Sequence, residues 1–168
     1  SFIMKMEGLD FPGSLKLLAH KAGVTLRRAD PQLASRRNTL LEVVAAAAQY
    51  WGELLIESPR AAAVRNYVRE RGIAEGTVGT FQLGWAPDSW EETSLHLKRR
   101  GFTETDIFEA GLSVKKERGS GFYDRFRHRL VFPIHDTHGQ VVGFGGRVLP
   151  GDDAASAKYL NTPQTLIY

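Results

Sequence analysis

The stretch GFYDRFRHRLVFPIHDTHGQVVGFGGRVLPGDDAASAKYLN, residues 121–161, decides the fold class of this chain. It holds two apolar, β-branched runs, 130–134 and 140–144, separated by the turn-forming residues Asp-Thr-His-Gly. This pattern predicts two neighbouring strands joined by a tight turn. The run 112–116 alternates apolar and polar residues, as a half-buried strand does. The second half of the chain is therefore predicted to form a small mixed or antiparallel sheet.

Helical periodicity dominates the first half. Apolar residues recur at three- and four-residue steps between 40 and 55, and Asn38 precedes them as a candidate cap. Ser58-Pro59 is typical of a second helix start, and shorter helical patterns cover 77–81, 90–97 and 103–110. Helices followed by a sheet predict an α+β fold.

The chain divides into three segments by composition. Residues 1–24 carry helical apolar stripes that end at Gly23. Residues 25–37 are polar and basic around Asp30-Pro31, which predicts a linker. Residues 38–168 hold the remaining helices and the sheet. Because the first residue already lies inside an apolar helical pattern, we expect the chain to derive from a longer protein.

Composition narrows the class of protein. The chain has 168 residues, 42% of them apolar and 24% charged, as in a globular protein, with a formal charge of +3. It has no cysteine, which excludes disulfides and zinc sites built on thiolates within it. No apolar run approaches the roughly 20 residues that span a bilayer. Residues 1–20 hold no charged start followed by a hydrophobic core, so we expect no signal peptide. These features predict a soluble, cytoplasmic protein.

Three arginines point to phosphate chemistry. If residues 125–129 are extended, Arg125, Arg127 and Arg129 share one face, and Phe126 and His128 share the other. The planar guanidinium can donate two hydrogen bonds to one phosphate. This face is therefore predicted to bind a polyanion, with single-stranded nucleic acid as the first candidate.

Alternatives remain open for these residues. The arginines can instead form a solvated strand edge that Asp124 and Asp136 balance. Tyr123 can stack on a base, which contributes about 1–3 kcal/mol, or pack in the core. Weak basicity overall also admits a protein-interaction domain with an acidic partner.

Two further motifs extend the basic region. Glycines at 143, 145 and 146 either form a structural bulge or permit close approach of another backbone, and they leave Arg147 at the sheet rim. Lys158 supplies a point charge, and Asn161 offers a donor and an acceptor for a base or sugar. Tyr159, between them, lies either on the surface or in the core.

Metal chemistry is not predicted within this chain. Asp152 and Asp153 are adjacent, but a solvated turn explains them better than a magnesium site. The five histidines show no zinc-like grouping. Because nucleotidyl transfer requires metal ions held by acids, the residues indicate a binding platform and not a complete active site.

Long ordered strings in the sequence resemble bacterial DNA primase. They are YDRFR at 123–127, RLVFPI at 129–134, GFGGRVL at 143–149 and KYLNTP at 158–163, with weaker similarity at 67–73 and 81–87. The resemblance implies an enzyme of the primosome, a DNA-directed RNA polymerase that synthesises short RNA primers on single-stranded DNA during replication. It further implies that 1–24 is the helical tail of a zinc-binding domain and that 38–168 is the amino-terminal basic subdomain of the polymerase core.

The resemblance also implies partners, cofactors and site residues. Structural Zn²⁺ and catalytic Mg²⁺ or Mn²⁺ are expected in the intact protein, in a zinc ribbon and a Toprim domain that this chain lacks. Expected partners are a single-stranded DNA template, nucleoside triphosphates, the RNA primer and a replicative helicase, with no membrane. The residues expected to bind nucleic acid are Arg125, Arg127, Arg147, Lys158, Asn161, Tyr123 and Tyr159, and no catalytic residue is predicted. This fragment alone is predicted inactive, and the alternative is a non-catalytic single-strand-binding module.

Overall fold

The computed structural model describes residues 4, 6, 8–24, 30–150 and 157–168. It contains two compact units, Ser1–Ala34 and Ser35–Tyr168. Helix α1, Phe11–Lys21, lies in the first unit and confirms the helix predicted there. The Asp10 carboxylate caps it by accepting a 2.8 Å hydrogen bond from the backbone N–H of Gly13. Gly23, at φ 66°, follows the helix in the left-handed conformation that glycine favours.

Helix α2, Pro31–Glu57, begins seven residues before Asn38, the residue that was predicted to cap it. Residues 31–37 are therefore helical, so the expectation that the Asp-Pro pair keeps this segment out of a helix is wrong for them. Proline suits the first turn of a helix because it needs no backbone N–H there. Asp30 supplies the cap, since its Oδ1 accepts a 2.9 Å hydrogen bond from the N–H of Gln32. Residues 25–29 lie outside the described part of the chain.

Four shorter helices follow α2 in the second unit. They are α3 (Ala62–Glu70), which a 3₁₀ turn at Pro59–Ala61 precedes, α4 (Glu75–Thr80), α5 (Glu92–Arg99) and α6 (Glu104–Glu109). A capping box begins α6, because the Thr103 hydroxyl accepts from the N–H of Asp106 and the Asp106 carboxylate accepts from the N–H of Thr103. The predicted helical first half is confirmed.

Two antiparallel sheets complete the unit. The larger sheet has the order β1 (Gly84–Ala86), β4 (Arg129–His135), β5 (Val141–Val148) and β6 (Tyr159–Asn161), and the smaller sheet pairs β2 (Ser113–Lys115) with β3 (Phe122–Asp124). Strands β4 and β5 are the pair predicted from the apolar runs. Asp136 organises the turn between them, because its Oδ1 accepts hydrogen bonds from the N–H groups of His138 and Gln140. The α+β fold predicted from the sequence is therefore confirmed.

The larger sheet has apolar residues on both faces. Leu130 belongs to a cluster with Trp85 and Tyr67, whereas Val131 belongs to a cluster with Trp51. Neighbouring strand residues enter different clusters because successive side chains point to opposite faces. Strands β4 and β5 are thus packed on both faces, and they carry Arg129 and Arg147 near their ends.

The double glycine of β5 does not form the bulge considered above. Gly145 pairs with Phe132 and Gly146 pairs with Val131 in regular register. The register shift lies between Ile134, which pairs with Gly143, and His135, which pairs with Val141, so of the three glycines only Gly143 adjoins a bulge. Gly146 is required by close packing, since a Cβ there would lie 2.8 Å from the Phe126 ring. At Gly145 a Cβ would meet only the Asn161 side chain, at 3.4 Å.

We expect Gly146→Ala to destabilise the fold and Gly145→Ala to leave it nearly unchanged. The added methyl group at 146 must displace the buried Phe126 ring, and such overpacking costs about 1–3 kcal/mol. Urea unfolding of the two variants measures the difference in the free energy of unfolding. Equal stabilities would contradict the close packing of Phe126 against β5.

Candidate nucleic-acid interface

The chain between β3 and β4 is bent and not extended, so the expectation of three arginines on one strand face is wrong. Strand β3 ends at Asp124, and β4 begins at Arg129. His128 has a φ of 49°, a left-handed conformation that interrupts the alternation of side chains. Phe126 still points into the core, where it is 1% exposed, so it anchors the bend.

The bend nevertheless places the three arginines around one cavity. The cavity has a volume of about 500 Å³. Its lining residues are Asp88, Trp90, Val114, Tyr123, Arg125, Arg127, His128, Arg129, Ala157 and Leu160. We call it the arginine groove. Its walls combine cations with aromatic rings, which is the combination that binds single-stranded nucleic acid.

Two aromatic rings flank the guanidinium of Arg127. Its central carbon lies 4.1 Å from the centre of the Trp90 ring and 5.0 Å from that of Tyr123. The two rings meet edge to face, with centres 5.3 Å apart. A hydrogen bond also orients Arg127, since its Nη1 donates to the carbonyl oxygen of Asp124 at 2.6 Å. Trp90 is 62% exposed, so it presents a flat apolar surface beside a fixed cation.

Arg125 and Arg129 complete the groove at different depths. Arg125 is half-buried, and its Nε donates a 3.2 Å hydrogen bond to the carbonyl oxygen of Asn161, which joins the bend to β6. Burial lowers the pKa of Arg125 from its ordinary value. Arg129 is buried, and its Nη1 donates to the carbonyl oxygen of Gly146. Arg129 therefore serves the structure, while Arg125 and Arg127 can also reach a ligand.

A second cationic group lies at the outer strands, around Arg147. Arg147 faces Tyr159 across β5 and β6, and its Nη1 donates a 3.1 Å hydrogen bond to the Tyr159 hydroxyl. The guanidinium carbon also lies 5.8 Å from the centre of the Tyr67 ring, which carries Arg71 at 5.1 Å. The Lys158 Nζ lies 5.9 Å from the Tyr159 ring centre. We call Arg71, Arg147 and Lys158 the outer cations.

Tyrosines 123 and 159 differ in their environment. Tyr159 is 60% exposed, so the alternative that placed it in the core is wrong. Tyr123 is half-buried in the groove wall, so its environment fits neither a fully exposed stacking ring nor a fully buried core residue. Asn161 is exposed, and it pairs with Gly145 between β5 and β6.

Asp124 and Asp136, the two acids considered above, bind backbone groups. The Asp124 carboxylate accepts hydrogen bonds from the backbone N–H groups of Thr93 and Ser94, at the start of α5. Asp136 is occupied by the turn between β4 and β5. Both acids thus have backbone partners, so the solvated, balanced edge is not the arrangement found.

Two residues of this region, Trp90 and Arg71, were not predicted as site residues. Trp90 fell within a predicted helix, but α5 begins only at Glu92, and Trp90 lies in the loop before it. Arg71 follows α3 as its cap residue. A tryptophan near a helix start can be buried or exposed, and only the folded structure shows that Trp90 is exposed.

The described residues were compared with the ligand sets that the implied metals, Zn²⁺ and Mg²⁺ or Mn²⁺, require. Among the residues that the structure describes, no three His, Asp or Glu side chains lie together as metal ligands would. Asp152 and Asp153 lie outside those residues. In the same described part of the chain, no helix combines the length and apolarity needed to cross a bilayer.

Comparison with known proteins places these features in a family. A family model described as DNA primase catalytic core, N-terminal domain, matches residues 51–168. The DNA primase of Synechococcus elongatus is 46% identical over 136 residues, which cover 80% of this chain and 19% of the relative. That of Mycobacterium tuberculosis is 39% identical and covers all of this chain and 27% of the relative. The chain thus spans about a fifth to a quarter of these relatives.

Solved structures agree. The RNA polymerase domain of M. tuberculosis primase DnaG, in complex with double-stranded DNA bearing a 6-nucleotide overhang, is 43% identical with a TM-score of 0.71, over 78% of this chain and 40% of that one. A DnaG primase catalytic domain bound to single-stranded DNA is 37% identical with a TM-score of 0.70, over 80% of this chain and 40% of that one. The chain belongs to the DNA primase family, and it contains the N-terminal domain of the primase catalytic core.

Proposed function

We propose that this chain is the part of a DNA primase that holds the single-stranded template and the phosphates of the initiating nucleotides. One observation carries the proposal. An exposed Trp90 ring lies against the Arg127 guanidinium in a groove that Arg125 also lines. Stacking surface and phosphate ligand are therefore combined in one site.

The arginine groove is suited to the template strand. Trp90 and Tyr123 offer π surfaces to unpaired bases, and such stacking tolerates any sequence, as a template site requires. Arg125 and Arg127 lie within the same cavity and can contact the backbone phosphates. A similar primase domain bound to single-stranded DNA supports this role.

The outer cations are suited to the phosphates of a nucleotide or of the growing primer. The guanidinium carbons of Arg71 and Arg147 lie 5.1 and 5.8 Å from the centre of the Tyr67 ring, so two positive charges flank this tyrosine. Lys158 adds a third charge across Tyr159. Asn161 lies two residues beyond Tyr159 and supplies donor and acceptor atoms for a sugar or base.

The intact protein would act beyond this chain. We propose that it synthesises RNA primers with Mg²⁺ or Mn²⁺, carries structural Zn²⁺, contacts a replicative helicase through another region and works in the cytoplasm. In that arrangement residues 1–24 are the tail of the zinc-binding domain, 25–37 the connection and 38–168 the basic subdomain. The metals would supply the charge neutralisation for phosphoryl transfer, while this chain orients the strand.

A protein-interaction domain with an acidic partner is less well supported. Acidic side chains require cations only, and they gain little from an exposed indole. Trp90 is 62% exposed and Tyr123 meets it edge to face, so the groove offers a stacking surface that suits a planar base better than a carboxylate.

We expect the 168-residue chain to bind single-stranded DNA weakly and with marked salt dependence. Two or three neutralised phosphates give a log–log slope of affinity against salt of about −1.5 to −2. The double variant Arg125→Ala/Arg127→Ala should lose about 0.7 in the slope per lost phosphate contact. Fluorescence anisotropy with labelled dT12, titrated at about 25 to 200 mM NaCl, measures the salt slopes of the unchanged chain and of the double variant. Electrostatic screening changes strongly over this range.

The matched control is Arg99→Ala/Arg118→Ala, which removes the same charge from exposed positions outside the groove. Its slope should remain near that of the unchanged chain. Equal losses in the two double variants would mean that net charge, and not the groove, binds the strand.

We also expect this chain alone to make no primer. The described residues lack a metal ligand set, and phosphoryl transfer needs one. The check is a primer-synthesis assay on single-stranded DNA with radiolabelled nucleotides and Mg²⁺ or Mn²⁺. Oligonucleotide product from the purified chain would overturn this prediction.

A further inference from the structure

Asp124 is a buried carboxylate directly beneath the arginine groove. It is 1% exposed. Its Oδ2 accepts a 2.8 Å hydrogen bond from the N–H of Thr93, and its Oδ1 accepts a 3.0 Å hydrogen bond from the N–H of Ser94. The Ser94 hydroxyl donates to the same Oδ1. The carboxylate at the end of β3 therefore caps α5 and links the start of that helix to the strand by hydrogen bonds.

The backbone of the same residue holds both members of the stacking pair. The N–H of Asp124 donates a 2.7 Å hydrogen bond to the carbonyl oxygen of Trp90. The carbonyl oxygen of Asp124 accepts the 2.6 Å hydrogen bond from Nη1 of Arg127. Trp90 lies two residues before α5, so the side chain and backbone of Asp124 fix the same loop at two points.

We propose that Asp124 is a positioning residue for the template strand: it sets the Trp90 ring and the Arg127 guanidinium in the geometry that accepts a base and its phosphate. The inference rests on the proposed function of the arginine groove. Asp124 itself does not line the groove, so it acts through its two neighbours.

Charge repulsion alone and the positioning role predict opposite changes in DNA affinity when Asp124 is neutralised, so the direction of the change tests the proposal. A carboxylate near a phosphate-binding site repels the strand, so neutralising it should strengthen binding. Burial raises the pKa of Asp124, whereas the hydrogen bonds from Ser94 and Thr93 oppose the rise. The fold thus keeps an acid at a desolvated place beside a site for anions, and positioning explains its presence there.

The decisive variant is Asp124→Asn. It has nearly the same shape, but one carboxylate oxygen becomes an NH₂ group that must face a backbone N–H of Thr93 or Ser94. The start of α5 must then move away, and the Trp90 loop moves with it. We expect the affinity for dT12 to fall at least five-fold, although a negative charge has been removed. Ser94→Ala keeps the carboxylate and loses one hydrogen bond, so it should give a smaller loss.

Asp106→Asn is the matched control. Asp106 is also a buried acid at a helix start, where it accepts from the N–H and hydroxyl of Thr103 and pairs with Arg36. It caps α6 and does not line the arginine groove. This variant should lower the free energy of unfolding as Asp124→Asn does, while the affinity for dT12 stays unchanged.

Acrylamide quenching of tryptophan fluorescence gives a readout that needs no DNA. Trp51 and Trp85 are 1% and 5% exposed, so quenching reports mainly on Trp90. Asp124→Asn should change the quenching constant of the folded chain, since the loop that carries the ring is released. Asp106→Asn should leave it as it is.

The outcomes separate this inference from the proposed function. Weaker dT12 binding and altered quenching in Asp124→Asn, with neither change in Asp106→Asn, supports positioning. Unchanged or tighter binding in Asp124→Asn, while Arg127→Ala loses binding, overturns positioning and leaves the groove intact. If the unchanged chain binds no dT12, the proposed function fails, and unchanged quenching in Asp124→Asn then also sinks the positioning role. If Asp124→Asn does not fold, Ser94→Ala takes its place in the same comparisons.

Discussion

Replacing Trp90 with alanine is expected to weaken binding of single-stranded DNA about ten-fold to a hundred-fold. The indole is 62% exposed, so its removal costs the fold little, but it is the largest open π surface in the arginine groove. Loss of one stacked base is worth about 1–3 kcal/mol. The Arg127 guanidinium, now 4.1 Å from the ring centre, also loses one of the two rings that orient it. Anisotropy titration with labelled dT12 at fixed salt measures the effect.

Trp90→Phe serves as the control for this result. Phenylalanine keeps a stacking face and a cation–π partner of lower strength, so most of the affinity should return. The salt slope should change little in either variant, because no phosphate contact is removed. An alanine variant with unaltered affinity would show that no base stacks at this position.

Replacing Phe126 with alanine is expected to lower the free energy of unfolding by about 3–5 kcal/mol. The ring is 1% exposed and packs edge to face against Trp51 and Phe144, with centres 5.7 and 6.0 Å apart. Because Phe126 stands between Arg125 and Arg127, the cavity left behind also frees the bend. Urea unfolding measures the loss, and DNA affinity should fall in the population that remains folded.

Phe81→Ala is the matched change for comparison. Phe81 is 61% exposed at the end of α4, so its truncation should alter the free energy of unfolding by no more than about 0.5 kcal/mol. Similar losses at the two positions would contradict the role of Phe126 as the anchor of the groove.

The sheet and its basic character could be predicted from the sequence because they depend on short-range patterns. The apolar runs around the 136–139 turn specify β4 and β5, since alternation and turn chemistry act over a few residues. Strand β6, which brings Tyr159 opposite Arg147, was not predicted from the sequence. The motif strings led to the same family that the comparisons show.

Other features depend on tertiary contacts and could not be predicted in this way. Strand β1, Gly84–Ala86, has three residues and no periodicity, and it exists because β4 offers it a partner. The bend at 125–128 requires His128 in a left-handed conformation, which residue type does not announce. Trp90 joins Arg127 only because Asp124 links two segments that are more than thirty residues apart.

Helix α2 shows how a local rule can mislead. Asp-Pro disfavours helix before the proline, and that held, because Asp30 lies outside the helix. The same proline then starts the helix, since it needs no N–H in the first turn. Both readings are consistent with residues 25–37 alone, and the continuation of the helix decides between them.

Photocrosslinking tests most directly whether an unpaired strand occupies the arginine groove. A dT12 strand with 5-iodouracil at each position in turn is irradiated with the 168-residue chain, and the attached peptides are identified by mass spectrometry. The account predicts crosslinks at Trp90 and Tyr123, the two aromatic residues that line the groove. Attachment at the exposed Phe81, with neither Trp90 nor Tyr123 modified, would place the strand on another surface and contradict it.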